Sequence, residues 1–237
     1  MTDRTVEASP HPRARITGVV YLLYFLTAAL AVFFISGLVV SGDAAATANN
    51  ILAHERLFRL SGAVGLIGTA LYIAVTVLFY GLFKPVNKTV SLLAAFFSLV
   101  GCAIQAFGSL FQVAPLVVLE GSPYLNVFKV DQLQAVALIF IKLNDQAAYI
   151  YLVFFGLFNL LIGYLIFNST FLPRILGVLM ALSGLGWLMF LSPRLANYLL
   201  TYIEVIGIIA EASLMLWLLV MGVKVERWRE QASAPGE

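Results

Sequence analysis

Charge is scarce in this sequence. Asp, Glu, Lys and Arg make up 11% of its 237 residues, and they nearly cancel at +2. Soluble domains carry about 25% charged residues, so a water-soluble surface of the usual kind is excluded. So small a basic excess also argues against a nucleic-acid partner. Cysteine occurs once, at Cys102, and histidine twice, at His11 and His54. One cysteine builds neither a disulfide framework nor a thiolate metal site. Two histidines far apart in the chain leave almost no material for an imidazole metal site or a Cys/His dyad. No cofactor and no metal are therefore expected.

What is abundant is apolar side chain, at 62% of residues with a mean hydropathy of +0.97. Disordered chains are poor in such residues, and the class that remains is the integral membrane protein. A membrane-spanning helix needs about 20 apolar residues. Six runs qualify: 16–40, 57–83, 90–114, 146–167, 173–191 and 199–223. The expected fold is all-α, a six-transmembrane-helix bundle over 16–223, flanked by a tail at 1–15 and a tail at 224–237. The first run is longer than a signal-peptide core, which is about 7–15 residues, and is read as a retained span. Prolines punctuate the loops, because proline cannot continue a helix. Lys84-Pro85-Val86-Asn87 ends the second run, Pro115 closes the third, Pro173 opens the fifth and Ser192-Pro193 separates the last two.

Basic residues set the orientation. With the N-terminus in the cytoplasm, nine Lys and Arg lie inside and five outside, which favours both termini cytoplasmic. The first and third outer loops are then long enough to carry structure. Asp43 is a candidate N-cap for a short helix through Ala45, Ala48 and Leu52. A second short lateral helix is expected at 132–142, because a continuous helix from Asp131 to Asn168 would be about 57 Å long at 1.5 Å per residue, against a hydrocarbon core of about 30 Å. A bend is expected near Asn144-Asp145.

Ionisable residues inside the runs are the sharpest functional signal, since such residues face the bundle interior and take a partner. Glu211 lies mid-run in the last span, and Glu204 lies seven residues nearer the outside on the same face. The third run places Ser98, Gly101, Gln105, Gly108 and Gln112 on one stripe at helical spacing. The fourth does the same with Asp145, Tyr149, Gly156, Asn159 and Gly163, and the second carries Arg59 near its outer end. Sorted by depth, Arg59, Gln112, Asp145 and Glu204 form an outer layer, and Gln105, Asn159 and Glu211 a middle one. Arg59 is expected to lie within the bundle and to pair with Glu204 or Asp145. Two readings compete. In the first, small residues and amides merely let helices approach and bond to one another. In the second, these seven residues line an outward-facing polar cavity for a small ligand, cation or proton. Trp187 and Trp217 are expected to face lipid and Trp228 to lie in the inner aromatic belt.

Several stretches carry a family resemblance. They are Ala14-Arg15-Ile16-Thr17-Gly18, the run from Ser41-Gly42-Asp43 to Leu57-Phe58-Arg59-Leu60, Pro85-Val86-Asn87-Lys88 with Leu92-Leu93-Ala94-Ala95, and Phe171-Leu172-Pro173-Arg174-Ile175-Leu176-Gly177. Together with Glu211 and Leu216-Trp217-Leu218-Leu219-Val220, they resemble the bacterial membrane proteins grouped as domain-of-unknown-function family 4386. The resemblance implies a multi-pass protein of the bacterial inner membrane and supplies no activity. The expected function is binding or transport of a small molecule, cation or proton, with membrane lipids as neighbours and a small amphipathic or cationic ligand as the candidate partner. A structural or regulatory subunit without a ligand is the alternative. An intramembrane enzyme acting on a lipid or isoprenoid comes next, and it lacks any Ser/His, Cys/His or metal constellation.

The charge asymmetry generates the first prediction. Reporter fusions at Lys88, at Asp131 and after the last helix are expected to read cytoplasmic, external and cytoplasmic. An external reading at the last site would overturn the orientation.

Overall fold

Apolar runs of this length fold as helices because an unpaired backbone N–H or C=O costs several kcal/mol in lipid, and a helix satisfies all of them within one segment. The computed structural model describes residues 10–233, and no strand occurs among them. Eight α-helices follow in order: α1 (Pro10–Ile35), α2 (Ala44–Ala53), α3 (Glu55–Phe83), α4 (Lys88–Leu119), α5 (Val130–Asn168), α6 (Arg174–Leu188), α7 (Pro193–Val220) and α8 (Val225–Ser233). Six segments are long and apolar enough to cross a membrane, namely α1, α3, α4, α5, α6 with the 3-10 turn after it, and α7. Many of their large apolar side chains point outward. Phe33 is 73% exposed and Leu110 63%, which is the surface of a protein whose solvent is lipid.

Of the expected tails, residues 1–9 and 234–237 lie outside the described residues. Residues 10–15 already belong to α1, and Val225–Ser233 forms α8. Three further differences have physical causes. Helix α5 is continuous over 39 residues, so residues 132–142 are helical but do not form a separate lateral helix. Asn and Asp cost a helix far less than Pro and somewhat less than Gly, and Asp145 turns to Lys142 at 3.6 Å instead of competing for the backbone. Pro115 lies inside α4, which runs four residues past it to Leu119. Trp228 is buried and donates its indole N–H to the Leu82 carbonyl at 2.9 Å, so it is not a belt residue.

The chain divides into two compact units. The first comprises the described parts of Met1–Leu22, Leu71–Gly101 and Leu152–Glu237. Its core is a chain of aromatic rings at edge and stacked contacts, including Tyr21–Phe79 at 5.7 Å, Tyr72–Phe155 at 5.3 Å and Phe155–Trp187 at 6.0 Å. Helix α8 closes onto this unit. Beyond the Trp228 bond, Gln231 accepts from the Thr170 N–H at 3.1 Å and donates to the Asn168 carbonyl at 3.3 Å. The α5–α6 hairpin is drawn together by glycine. A Cβ on Gly163 would meet the backbone of Ala181 and Gly177 at 2.7 Å, and one on Gly156 would meet the Gly184 carbonyl oxygen at 2.8 Å. Small residues are what let membrane helices approach this closely.

The second unit comprises Leu23–Ala70 and Cys102–Tyr151. It is built around Leu38, Ile51, Phe58, Leu116 and Ile141. Helix α2, expected in the first outer loop, supplies Ile51. Asp43 caps α2 by accepting from the Ala46 N–H at 2.8 Å. The Thr47 hydroxyl accepts from the Val40 N–H at 3.0 Å, and Asn50 donates to the Leu38 carbonyl at 3.3 Å. These bonds fold the α1–α2 connection back on itself.

The glycine contacts generate the second prediction. Gly163→Ala and Gly184→Ala are expected to destabilise by about 1–3 kcal/mol each, the usual cost of overpacking. The check is a lowered melting temperature of the purified protein. Gly81→Ala should leave that temperature unchanged or slightly raised, because its added Cβ meets nothing within 4 Å.

Candidate functional site

Two sets of polar side chains stand out, one in each unit. In the first unit the ridge of α7 formed by Ala196, Ile203, Gly207, Ala210, Leu214 and Leu218 is buried, and Glu211 lies beside it at 5% exposure. Tyr21, on the face of α1 that also holds Thr17 and Gly18, is fully buried and donates its hydroxyl to Glu211 Oε2 at 3.0 Å. Asn159 of α5, also fully buried, donates from Nδ2 to Glu211 Oε1 at 3.4 Å and to Ser183 Oγ at 3.2 Å. Trp187 of α6 fits against Gly207, where a Cβ would stand 2.6 Å from the indole ring. Gly207 is one helical turn before Glu211, so the residue that admits the indole and the acid it approaches share a face. Among the described residues the Asn159 Oδ1 atom has no hydrogen-bond partner, and the Trp187 indole N–H lies near Glu211 without completing a hydrogen bond. Every side chain that bonds to Glu211 among the described residues is uncharged.

In the second unit the stripe of α4 holds Gln105, Gly108 and Gln112 against α3 and α5. Gln112 donates to Ser61 Oγ at 2.9 Å, and Ser61 in turn donates to the Phe58 carbonyl at 2.8 Å. A Cβ on Gly108 would touch the Ala147 Cβ at 3.0 Å. Together with Gly65, Asn144 and Tyr151 these residues line a recess of about 150 Å³.

The seven residues read from the sequence are thus distributed as follows. Asn159 and Glu211 meet directly, and Gln105 and Gln112 line one recess. The other three are placed elsewhere than expected. Arg59 has 47% of its side chain exposed, and it pairs with Glu55 at 2.7 Å and with Glu120, not with Glu204 or Asp145. An exposed guanidinium takes the acids one turn away and at the end of the neighbouring helix, because long basic side chains extend toward water. Asp145 is half-exposed and pairs with Lys142. Glu204 is exposed, one position past the buried Ile203. Sequence reasoning left out Ser183, which reads as one more small residue of α6, and Asn144, which reads as a bend marker. Trp187, expected to face lipid, sits within the aromatic core beside Phe155 and Phe190. The signal that could have placed it is Gly207, four residues before an intramembrane acid. Among the described residues no three His, Cys, Asp or Glu side chains come together in a way that could hold a metal ion.

Six helices able to span a membrane, a lipid-like exterior and buried hydrogen-bonded polar side chains define a multi-pass helical membrane protein. Within that class, the chain belongs to the family described as Domain of unknown function (DUF4386), which it matches over residues 16–222. An uncharacterized protein of the archaeon Archaeoglobus fulgidus is 26% identical over 153 residues, covering 65% of this chain and 78% of that one. No solved structure matches the chain.

The contrast between Glu211 and Arg59 generates the third prediction. Tyr21→Phe removes a buried donor and is expected to cost about 1–3 kcal/mol, seen as a lower melting temperature. Arg59→Ala should lower it no more than Arg194→Ala does, since exposed ion pairs contribute little.

Proposed function

We propose that the chain is a multi-pass protein of a prokaryotic plasma membrane, with both termini cytoplasmic, that binds a proton or a small cation at Glu211. The observation that carries this reading is a carboxyl group inside the first unit whose partners are all neutral. A charged group removed from water needs a countercharge or must be neutralised. Tyr21 and Asn159 supply hydrogen bonds but no charge, so the balancing positive charge has to come from outside the protein, as a proton or a cation. The unpaired Asn159 Oδ1 belongs to the same carboxamide that bonds Glu211 and offers a second oxygen to an incoming cation. Intramembrane acids are functional-site hypotheses by default, and the hydrogen bonds here hold this one in a fixed place. Transport of the bound species, coupled or not to a larger molecule, is the function class this reading supports.

The test compares purified wild type with Glu211→Gln, which keeps the shape and the ability to hydrogen-bond. Melting temperatures are measured from pH 5 to pH 9, in sodium chloride and in choline chloride. The wild type is expected to respond to pH or to sodium, and the variant to lose that response while remaining folded. Superimposable curves for the two proteins under all conditions would remove the basis of the proposal and favour the structural-subunit reading, in which Glu211 only ties α1, α5 and α7 together.

A further inference from the structure

The recess in the second unit has a chemistry unlike that of Glu211. No charged side chain lines it. Asp145, next in sequence to the lining residue Asn144, is turned to Lys142 instead. Its polar groups are carboxamides and hydroxyls. The Gln112 amide is oriented by its bond to Ser61. The carboxamides of Gln105 and Asn144 make no hydrogen bond to protein among the described residues, although both lie on helices able to span a membrane. An amide in such surroundings is costly when unbonded, and two of them facing one recess point to a partner that supplies the bonds.

A carboxamide both donates and accepts. It therefore suits hydroxyl and carbonyl oxygens, and it offers neither the full positive charge a phosphate needs nor the full negative charge an ammonium needs. Size narrows the partner further. A cavity of about 150 Å³ is the size that admits one benzene ring. Space comes from Gly65 of α3 and from Gly108, which packs on Ala147.

We infer that this recess binds the uncharged, oxygen-bearing headgroup of a membrane-dissolved molecule, a ring or polyol of about the volume of one six-membered ring, with its tail left in the lipid. A quinone ring and the glycerol hydroxyl end of a diglyceride share this chemistry. The recess takes the headgroup through Gln105, Gln112 and Asn144.

The experiment uses the full chain in phosphatidylcholine nanodiscs, with melting followed by circular dichroism. Decylubiquinone and dioctanoylglycerol are the two neutral probes. Decyltrimethylammonium and decyl phosphate are charged controls with tails of similar length. One or both neutral probes are expected to raise the melting temperature by roughly 5 °C at a hundredfold excess over Kd, with no comparable rise from the charged controls. The probe that acts identifies the source of the headgroup. Gly65→Leu is expected to abolish the shift by filling the recess, into whose open space a Cβ at Gly65 enters without meeting any atom within 4 Å. Gln105→Leu is expected to abolish it by removing a carboxamide, and it decides the matter if Gly65→Leu does not fold. Arg194→Ala should keep it. Absence of any shift in wild type, an undiminished shift in the folded variants, or an equal shift from the charged controls would overturn the inference.

Discussion

Helix α7 holds the Glu211 carboxyl group buried, with only 5% of the residue exposed, and much of the first unit is arranged to meet that constraint. Helix α1 comes close enough to α7 that a Cβ on Gly18 would stand 2.5 Å from the Leu219 backbone, and the same face of α1 brings the Tyr21 hydroxyl to the acid. Helix α5 brings Asn159 from another side, and it does so in the stretch where Gly156 and Gly163 press it against α6. Ser183 of α6 then accepts the second hydrogen of the Asn159 amide. Close approach and polar satisfaction are therefore one design here. The glycines set the distances at which the hydrogen bonds become possible, and the hydrogen bonds fix the helices that the apolar effect alone, absent in lipid, would not hold.

The second unit solves a milder problem. Its charged residues stay at the margins, where Arg59, Glu55 and Glu120 meet one another with much of their surface exposed. Its interior polar groups are neutral, so none demands a countercharge. The relation between sequence and site differs accordingly. Where a charge is buried, the neighbours are determined closely. Where only amides are buried, the protein can leave them open on one side.

Much of the fold was legible because length of apolar run is a direct physical signal. Six runs gave six helices, and the cap at Asp43 and the helix behind it follow from local side-chain chemistry. What was not legible depends on what surrounds a residue. Pro115 removes one backbone donor but does not end α4, because the helix goes on for four more residues past it. Asn144-Asp145 looks like a break only if the span must end where the hydrocarbon does, and α5 does not obey that limit. For the polar residues, helical spacing put Gln105 and Gln112 on one stripe, and both line the recess; depth grouped Asn159 with Glu211, which meet, but it also drew in Gln105 and separated it from Gln112. Spacing failed for Glu204, which shares a heptad position with Glu211 yet is uncovered. It failed for Arg59 because its acids, Glu55 and Glu120, stand outside the apolar runs in which partners were sought.

The glycines of the α5–α6 hairpin repeat with the same interval on both helices, Gly156 and Gly163 facing Gly184 and Gly177. A repeat of this kind does not by itself select a register. Sliding one helix past the other by that interval would set Gly163 opposite Gly184 and preserve half of the close contacts. The choice is made by the short connection between the helices. Ser169 bonds back to the Ile166 carbonyl at 2.8 Å, and Phe171 is buried and stacked on Phe83 at 6.1 Å. A slipped hairpin would pull Phe171 out of the aromatic core and carry Asn159 away from Glu211. The five-residue turn, not the glycine surface it joins, is thus the part of the hairpin that encodes which alignment is native.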